Sequence, residues 1–213
     1  MSLSVSQRPV LADLFATDGA ALWAKRVLLV ALGVAALTLA AKIKVPMWPS
    51  PVPITMQTFA VLAIGAAYGA RLGFVTIVAY LAIGAAGYNV FTSSSSEYNG
   101  VAYMLGGTGG YLAGYALAAL ILGWAARRGW DRGVGGMAIA MLGGNAVIYA
   151  LGVPWLYYVI VSGDLYNAEQ FSSVWAQTLQ WGLTPYLIGD AMKLALAALV
   201  FPLIWKAVGD ART

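Results

Sequence analysis

Charge is so sparse along this 213-residue chain that the uncharged runs between charges set the architecture. They cover residues 27–41, 45–70, 72–96, 98–126, 133–163 and 170–189, with a shorter one at 194–205. A helix that crosses a bilayer needs about 20 mostly apolar residues. Composition agrees with that reading: 61% of the residues are apolar and 9% are charged, where a soluble domain carries about 25% charged residues. A water-soluble fold of this size leaves too much surface exposed to hide such a content. The expected class is an all-α integral membrane protein.

The runs predict a six-helix bundle with spans at about 22–41, 56–71, 72–89, 108–127, 134–153 and 184–205. The second and third spans join tightly around Arg71, and Lys25 and Arg26 snorkel at the start of the first. The first apolar run is too long for a signal-peptide core and is kept as a helix. Residues 1–21 read as a cytosolic tail with an amphipathic patch around Val10, Leu11, Leu14 and Phe15. Residues 22–206 form one membrane domain, and 207–213 a second tail. With six spans, one side receives Arg8, Lys25, Arg26, Arg71, Arg127, Arg128, Arg132, Lys206 and Arg212, and the other only Lys42 and Lys44. Excess Lys and Arg marks the cytoplasmic side, so both termini are expected there. The basic balance follows from topology and calls for no nucleic-acid partner.

Several functions are excluded by what is missing. The chain contains no histidine and no cysteine, which removes the usual zinc, haem and iron–sulfur ligands and any Ser–His or Cys–His nucleophile. No cofactor is expected. The chain also lacks a G-x-x-x-x-G-K-[ST] loop, so it does not hydrolyse ATP by a P-loop of its own.

Asp190 and Lys193 are the residues that most demand an explanation. They lie inside the sixth expected span, on one helical face at spacing i, i+3. Each charge at such depth costs about 2.5–3.5 kcal/mol on insertion scales, which makes the pair a functional candidate. The bland alternative is an ion pair that satisfies itself inside the bundle. A lysine attracts a carboxylate and an aspartate accepts from N–H donors, so the pair suits a small ligand carrying such groups. A proton relay, the other standard use of a membrane carboxylate, more usually has a further acidic or histidine partner in another span, and the sequence offers none.

Other candidates cluster on the same outer side. Gly107, Thr108, Gly109, Gly110 and Tyr111 enter the fourth span; the glycines let backbone approach a ligand, and Tyr111 offers an apolar ring. Gly106, Gly110 and Gly114 also make a small-x-x-x-small packing stripe, as do Gly65, Gly69 and Gly73. Asn145 is a lone polar residue in mid-span, read as an interhelical hydrogen bond or a ligand contact. Pro46, Pro49, Pro51 and Pro53 around Trp48 make the first outer loop stiff and extended, a lid with Gln57 beside it. Loops 90–107 and 154–183, the latter rich in Trp and Tyr, complete that face. Ala31 and Ala35 give the first span a small-residue face for packing in the bundle or against a partner.

Together these segments resemble the BioY family, the biotin-specific S components of energy-coupling factor transporters. The resemblance rests on Pro51-Val-Pro-Ile-Thr-Met-Gln-Thr58, Gly107-Thr-Gly-Gly-Tyr-Leu-Ala-Gly114, Gly144-Asn-Ala-Val-Ile-Tyr149 and Gly189-Asp-Ala-Met-Lys193, in order along residues 25 to 205. It implies biotin captured from outside under the first loop and a complex with a transmembrane coupling protein and two cytosolic ATPases. It also implies a bacterial or archaeal cytoplasmic membrane. The family's acid and lysine fall on Asp190 and Lys193, its glycine-rich binding segment on Gly107 to Tyr111, and its coupling face on Ala31 and Ala35. Three features depart from the pattern: Gly107 and Asn89 stand where prolines are expected, and the serine run Ser93–Ser96 is long. Asp190 can take the ureido N–H groups while Lys193 takes the carboxylate, or Lys193 can donate to the ureido carbonyl. The rivals are another vitamin such as thiamine or riboflavin, a membrane-embedded enzyme with Lys193 as base, and a structural or channel subunit.

Overall fold

The computed structural model describes residues 8–14, 18–45 and 54–210. Among these, the helices are α1 (Gly19–Lys42), α2 (Gln57–Ala85), α3 (Gly100–Met104), α4 (Gly109–Arg127), α5 (Val134–Ser162), α6 (Val174–Gly182) and α7 (Leu187–Asp210). Five helical stretches are long and apolar enough to cross a membrane: Gly19–Lys42, Gln57–Ala85, Gly109–Arg127, Val134–Ser162 and Val174–Gly209. They carry large apolar side chains outward as well as inward. On α1, Trp23, Val27, Leu28, Leu32 and Leu39 are exposed, as they are on helices whose outer face meets lipid rather than water.

α4 lies at the centre, between α2 and α5, and glycines set how close it comes. Gly65 of α2 rests on Ala119 of α4, Gly114 of α4 on Ile148 of α5, and a side chain on Gly123 would run into the Gly69–Ala70 backbone. α1 packs chiefly on α2, with Gly33 against Thr76 and Tyr68.

The boundaries differ from expectation in instructive ways. α2 runs from Gln57 to Ala85 with a break at Gly69, two residues before the expected joint at Arg71. Gly69 has φ 77° and ψ 171°, a conformation essentially restricted to glycine. Gly65 and Gly73 do not belong to one continuous stripe. They meet across the break, the Gly65 Cα 3.1 Å from where a Cβ of Gly73 would lie. α5 continues through Pro154 to Ser162 instead of stopping at Val153. One lost backbone donor is tolerated because the helix is packed on both sides of it, with Val153 and Leu156 buried. The 154–183 connection therefore holds the end of α5 and the whole of α6. The last helix is shifted to Leu187–Asp210, with a 3₁₀ turn at Thr184–Tyr186. The third expected span ends at Ala85 rather than residue 89.

Two strands were not foreseen. β1 (Lys44–Val45) pairs antiparallel with β2 (Ile54–Thr55), Lys44 opposite Thr55 and Val45 opposite Ile54. The loop between α1 and α2, expected to lie outside, is thus closed at its base by a short ladder. Its residues Pro46, Trp48, Pro49, Pro51 and Pro53 lie outside the described residues.

The expected N-terminal tail is docked where it is described. A 3₁₀ turn at Leu11–Asp13 buries Val10 completely, beside Gly69. Arg8 N donates to Arg127 O at 2.9 Å, Arg132 Nη2 to Pro9 O at 3.2 Å, and Asp13 pairs with Arg127 at 2.5 Å. The C-terminal helix reaches the same place: Trp205 Nε1 donates to Asp131 Oδ2 at 2.5 Å, and the Arg132 guanidinium lies 4.2 Å above the Trp205 ring. One end of the bundle is therefore tied together by arginines. The other end holds a cavity.

Candidate functional site

α7 carries Asp190 and Lys193 into the bundle one turn apart, and the rest of the site closes around them. Lys193 Nζ lies 3.0 Å from Asp190 Oδ1 and donates to Thr58 Oγ1 at 2.9 Å. Thr58, in the first turn of α2, donates in turn to Asp190 Oδ1 at 3.4 Å. The Tyr149 hydroxyl of α5 donates to Asp190 Oδ2. Asp190 and Lys193 are only 6% and 8% exposed, so three helices hold a charge-balanced ring out of solvent. Of the three Lys193 donors two are engaged by Asp190 and Thr58, and Asp190 Oδ2 keeps acceptor capacity beyond Tyr149. The ring can therefore offer a charged donor beside a carboxylate acceptor.

That offer is made into a cavity of about 390 Å³, enclosed by α2, α4, α5, α7 and the connections above them. Its size falls within the range of small-molecule sites. Its walls combine aliphatic side chains with a set of aromatic ones: Phe91, Tyr98, Tyr103, Tyr111, Tyr115, Tyr149, Trp181 and Tyr186 all line it. Tyr111 is set by three contacts. Its ring lies against Gly152, its hydroxyl donates to Gly182 O at 2.8 Å, and it meets Tyr149 edge-on at 6.3 Å. Tyr103 lies in the α2–α4 connection, where burial raises its phenol above the ordinary range.

One wall comes from Phe91, Thr92 and Ser93, and the segment that carries it is fastened from three sides. Tyr80 OH donates to Val90 O at 2.9 Å, while Gln57 Nε2 donates to Tyr80 OH at 2.8 Å and Gln57 Oε1 accepts from Thr92 Oγ1 at 2.9 Å. Lys42 Nζ, at the end of α1, donates to Asn89 Oδ1 at 2.7 Å and to Phe91 O at 2.6 Å. The single hydroxyl proton of Ser94 is shared between the same two acceptors, with Oγ at 2.6 and 2.9 Å from them. Phe91 is fully buried, stacked on Tyr103 at 4.9 Å and edge-on to Tyr80 at 5.4 Å.

Of the residues expected from sequence, Asp190, Lys193, Gln57, Gly107, Thr108 and Tyr111 line the cavity. Gly109 and Gly110 do not. A side chain on Gly109 would strike Met104 O and Trp155, and one on Gly110 would strike Leu151 O and Trp155, so both let the start of α4 seat against neighbouring backbone and α5. Asn145 is half-buried one turn before Tyr149 and is not among the cavity-lining residues. Ala31 and Ala35 are exposed on α1, away from the cavity.

The chain as a whole is similar to known proteins. The model of the BioY family matches residues 10–210. The chain belongs to the BioY family. It is 34% identical over 177 residues to the probable biotin transporter BioY of Pyrococcus horikoshii, covering 83% of this chain and 94% of that one. It is 30% identical over 170 residues to the biotin transporter BioY of Thermotoga maritima, covering 78% and 87%. A crystal structure of the S-component for biotin from an ECF-type ABC transporter superposes with a TM-score of 0.68 over 89% of this chain and 95% of that one. At 20% identity that likeness establishes the fold.

Within this BioY chain, Thr58, Tyr149, Tyr115, Tyr186, Phe91 and Tyr103 are site residues that the sequence did not single out. Thr58 and Tyr149 sit inside the quoted motifs.

Proposed function

We propose that this chain captures biotin at its outer face as the substrate-specific component of an ATP-driven vitamin importer. One observation carries the reading: a buried Asp190–Lys193 ring at the base of an aromatic cavity, in a BioY family member. Biotin combines an apolar bicyclic body with a ureido group and a carboxylate. The aromatic walls suit the body, and the ring offers a donor and an acceptor to its polar groups. The topology follows the six-span reading, with the arms of α2 on either side of Gly69 as separate spans, both termini cytoplasmic and the cavity facing outward, in a bacterial or archaeal cytoplasmic membrane. Energy comes from partners, a transmembrane coupling protein that meets the Ala31 and Ala35 face and two cytosolic ATPases. An enzymatic role for Lys193 is disfavoured, because its ammonium is ion-paired to Asp190 and donates to Thr58 rather than standing free as a base.

The test is equilibrium binding of labelled biotin to detergent-purified chain, with thiamine and riboflavin as competitors. Saturable binding displaced by biotin alone is expected. Displacement by either other vitamin, or no saturable binding, overturns the assignment.

A further inference from the structure

A second groove, larger than the cavity above, is present among the described residues. It lies at the opposite end of the bundle, between the start of α1, the Gly69 break of α2 and the end of α4, with a volume of about 920 Å³. Its rim is basic: Lys25, Arg26, Arg71 and Arg127 all line it. Asp13 is the one acid among the described lining residues, and it is engaged by Arg127 at 2.5 Å and by the Val10 N–H at 3.1 Å. Arg26 lies over the Trp23 ring, 5.6 Å from its centre, and its charge meets no rim carboxylate. Arg71 is exposed and makes no hydrogen bond or ion pair among the described residues.

Below that rim the walls turn apolar. Leu29 and Val30 of α1 face Leu72 and Val75 of α2 along the direction in which both helices enter the apolar zone. Trp23 and Trp124 stand beside the rim, at the level where indole rings mark the membrane–water boundary. A ring of cations over a lipid-depth apolar channel matches a molecule with an anionic head and hydrocarbon tails. Basic pockets between helices on the cytoplasmic side of membrane proteins bind anionic headgroups in this way.

We infer that this groove is a binding site for an anionic phospholipid, its phosphate held by Arg26 and Arg71 and an acyl chain lying between α1 and α2. A lipid seated there fills the space between α1 and its neighbours and anchors the helix that carries the exposed Ala31 and Ala35. The inference is independent of what the outer cavity binds.

The test is native mass spectrometry of the full chain in non-ionic detergent, titrated with dioleoyl phosphatidylglycerol and with dioleoyl phosphatidylcholine. The wild type should retain the glycerol lipid in preference to the choline lipid, and soluble glycerol phosphate at equal concentration should not displace it. R26Q/R71Q should weaken phosphatidylglycerol binding roughly 30-fold, about fivefold per arginine removed. R26K/R71K should retain most of it, and K206Q, which removes a basic residue outside the groove, should change nothing. Size exclusion and melting report whether each variant is folded, and R71Q alone gives the fivefold step if the double variant does not fold. Equal retention of the two lipids overturns the site. So does an unchanged preference in folded R26Q/R71Q and R71Q, a loss as large in K206Q, or displacement by glycerol phosphate.

Discussion

The Asp190–Lys193 ring can be taken apart so that stability and binding move in opposite directions. Lys193→Met leaves the buried Asp190 without its counter-charge, held only by Thr58 and Tyr149; Asp190→Asn leaves Lys193 without its own. Breaking a buried pair from one side costs about 3–5 kcal/mol, because the remaining charge is uncompensated. Removing both charges together lifts that penalty, and replacement of a buried pair by apolar or neutral groups is often neutral or stabilising by about 1–4 kcal/mol. The double variant should therefore be more stable than either single one and close to the wild type. Binding should not recover. Each hydrogen bond from a charged group to ligand is worth about 1.5–3 kcal/mol, so each single variant should lose roughly 10- to 150-fold in biotin affinity. The double variant should lose about 10²- to 10⁴-fold. Calorimetric titration and thermal melting on one detergent preparation read both quantities. A double variant that binds biotin like the wild type would remove the pair from the site. A double variant less stable than both single ones would show that the ring is not held by charge balance.

Four further outcomes are expected. Lys42→Met frees the Asn89–Phe91 wall and should raise the biotin off-rate about tenfold, the order of one lost charged hydrogen bond, in stopped-flow exchange; adding Asn89→Ala should change little more, and fully additive effects would mean that the two do not act as one clamp. Gly69→Ala forces a side chain into a glycine-only conformation and should cost about 1–3 kcal/mol in unfolding experiments, without altering biotin affinity in the folded fraction. Burial holds the Asp131 carboxyl above its ordinary value of 3.8, against the pull of Trp205, Arg132 and Arg8. A carboxyl that binds its proton more tightly folded than unfolded stabilises the fold at low pH and loses that contribution as pH rises from 3.8 through the raised value. Asp131→Asn should therefore gain on the wild type as pH rises across that window, and parallel melting curves at every pH would contradict the shift. Saturating biotin should slow hydrogen exchange over residues 46–57, as a proline-stiffened lid requires; equal exchange with and without ligand would assign the prolines to routing the chain alone.

What the sequence disclosed about this molecule follows from cost. Asp190 and Lys193 were legible because two charges in an apolar run are expensive and nothing local explains them. Thr58 and Tyr149 were not, because a hydroxyl in a membrane helix costs little and has an ordinary excuse in bonding its own backbone, as Thr76 does with Leu72 O at 2.8 Å. The break at Gly69 was hidden for a related reason: Gly65, Gly69 and Gly73 at four-residue spacing read as a packing stripe, and only the backbone angle distinguishes a hinge from a contact. The glycine-rich entry to α4 mixed two roles that look alike in sequence. Gly107 borders the cavity, while Gly109 and Gly110 clear room for Met104 and for Trp155 and Leu151. The three departures from the family pattern are not equally informative. Nothing in the structure explains Gly107 in place of proline. The other two belong together. A proline at position 89 would stiffen the turn before Phe91 through its fixed φ. Asn89 cannot do that, but its side chain accepts from both Lys42 and Ser94, and both of these donors also bind Phe91 O. The serine run supplies one of those donors and α1 the other. Rigidity that a ring closure would give locally is obtained here by hydrogen bonds, and with a consequence proline does not bring: the cavity wall is tied to the C-terminal end of α1, the helix whose exposed small-residue face is proposed to meet the coupling protein.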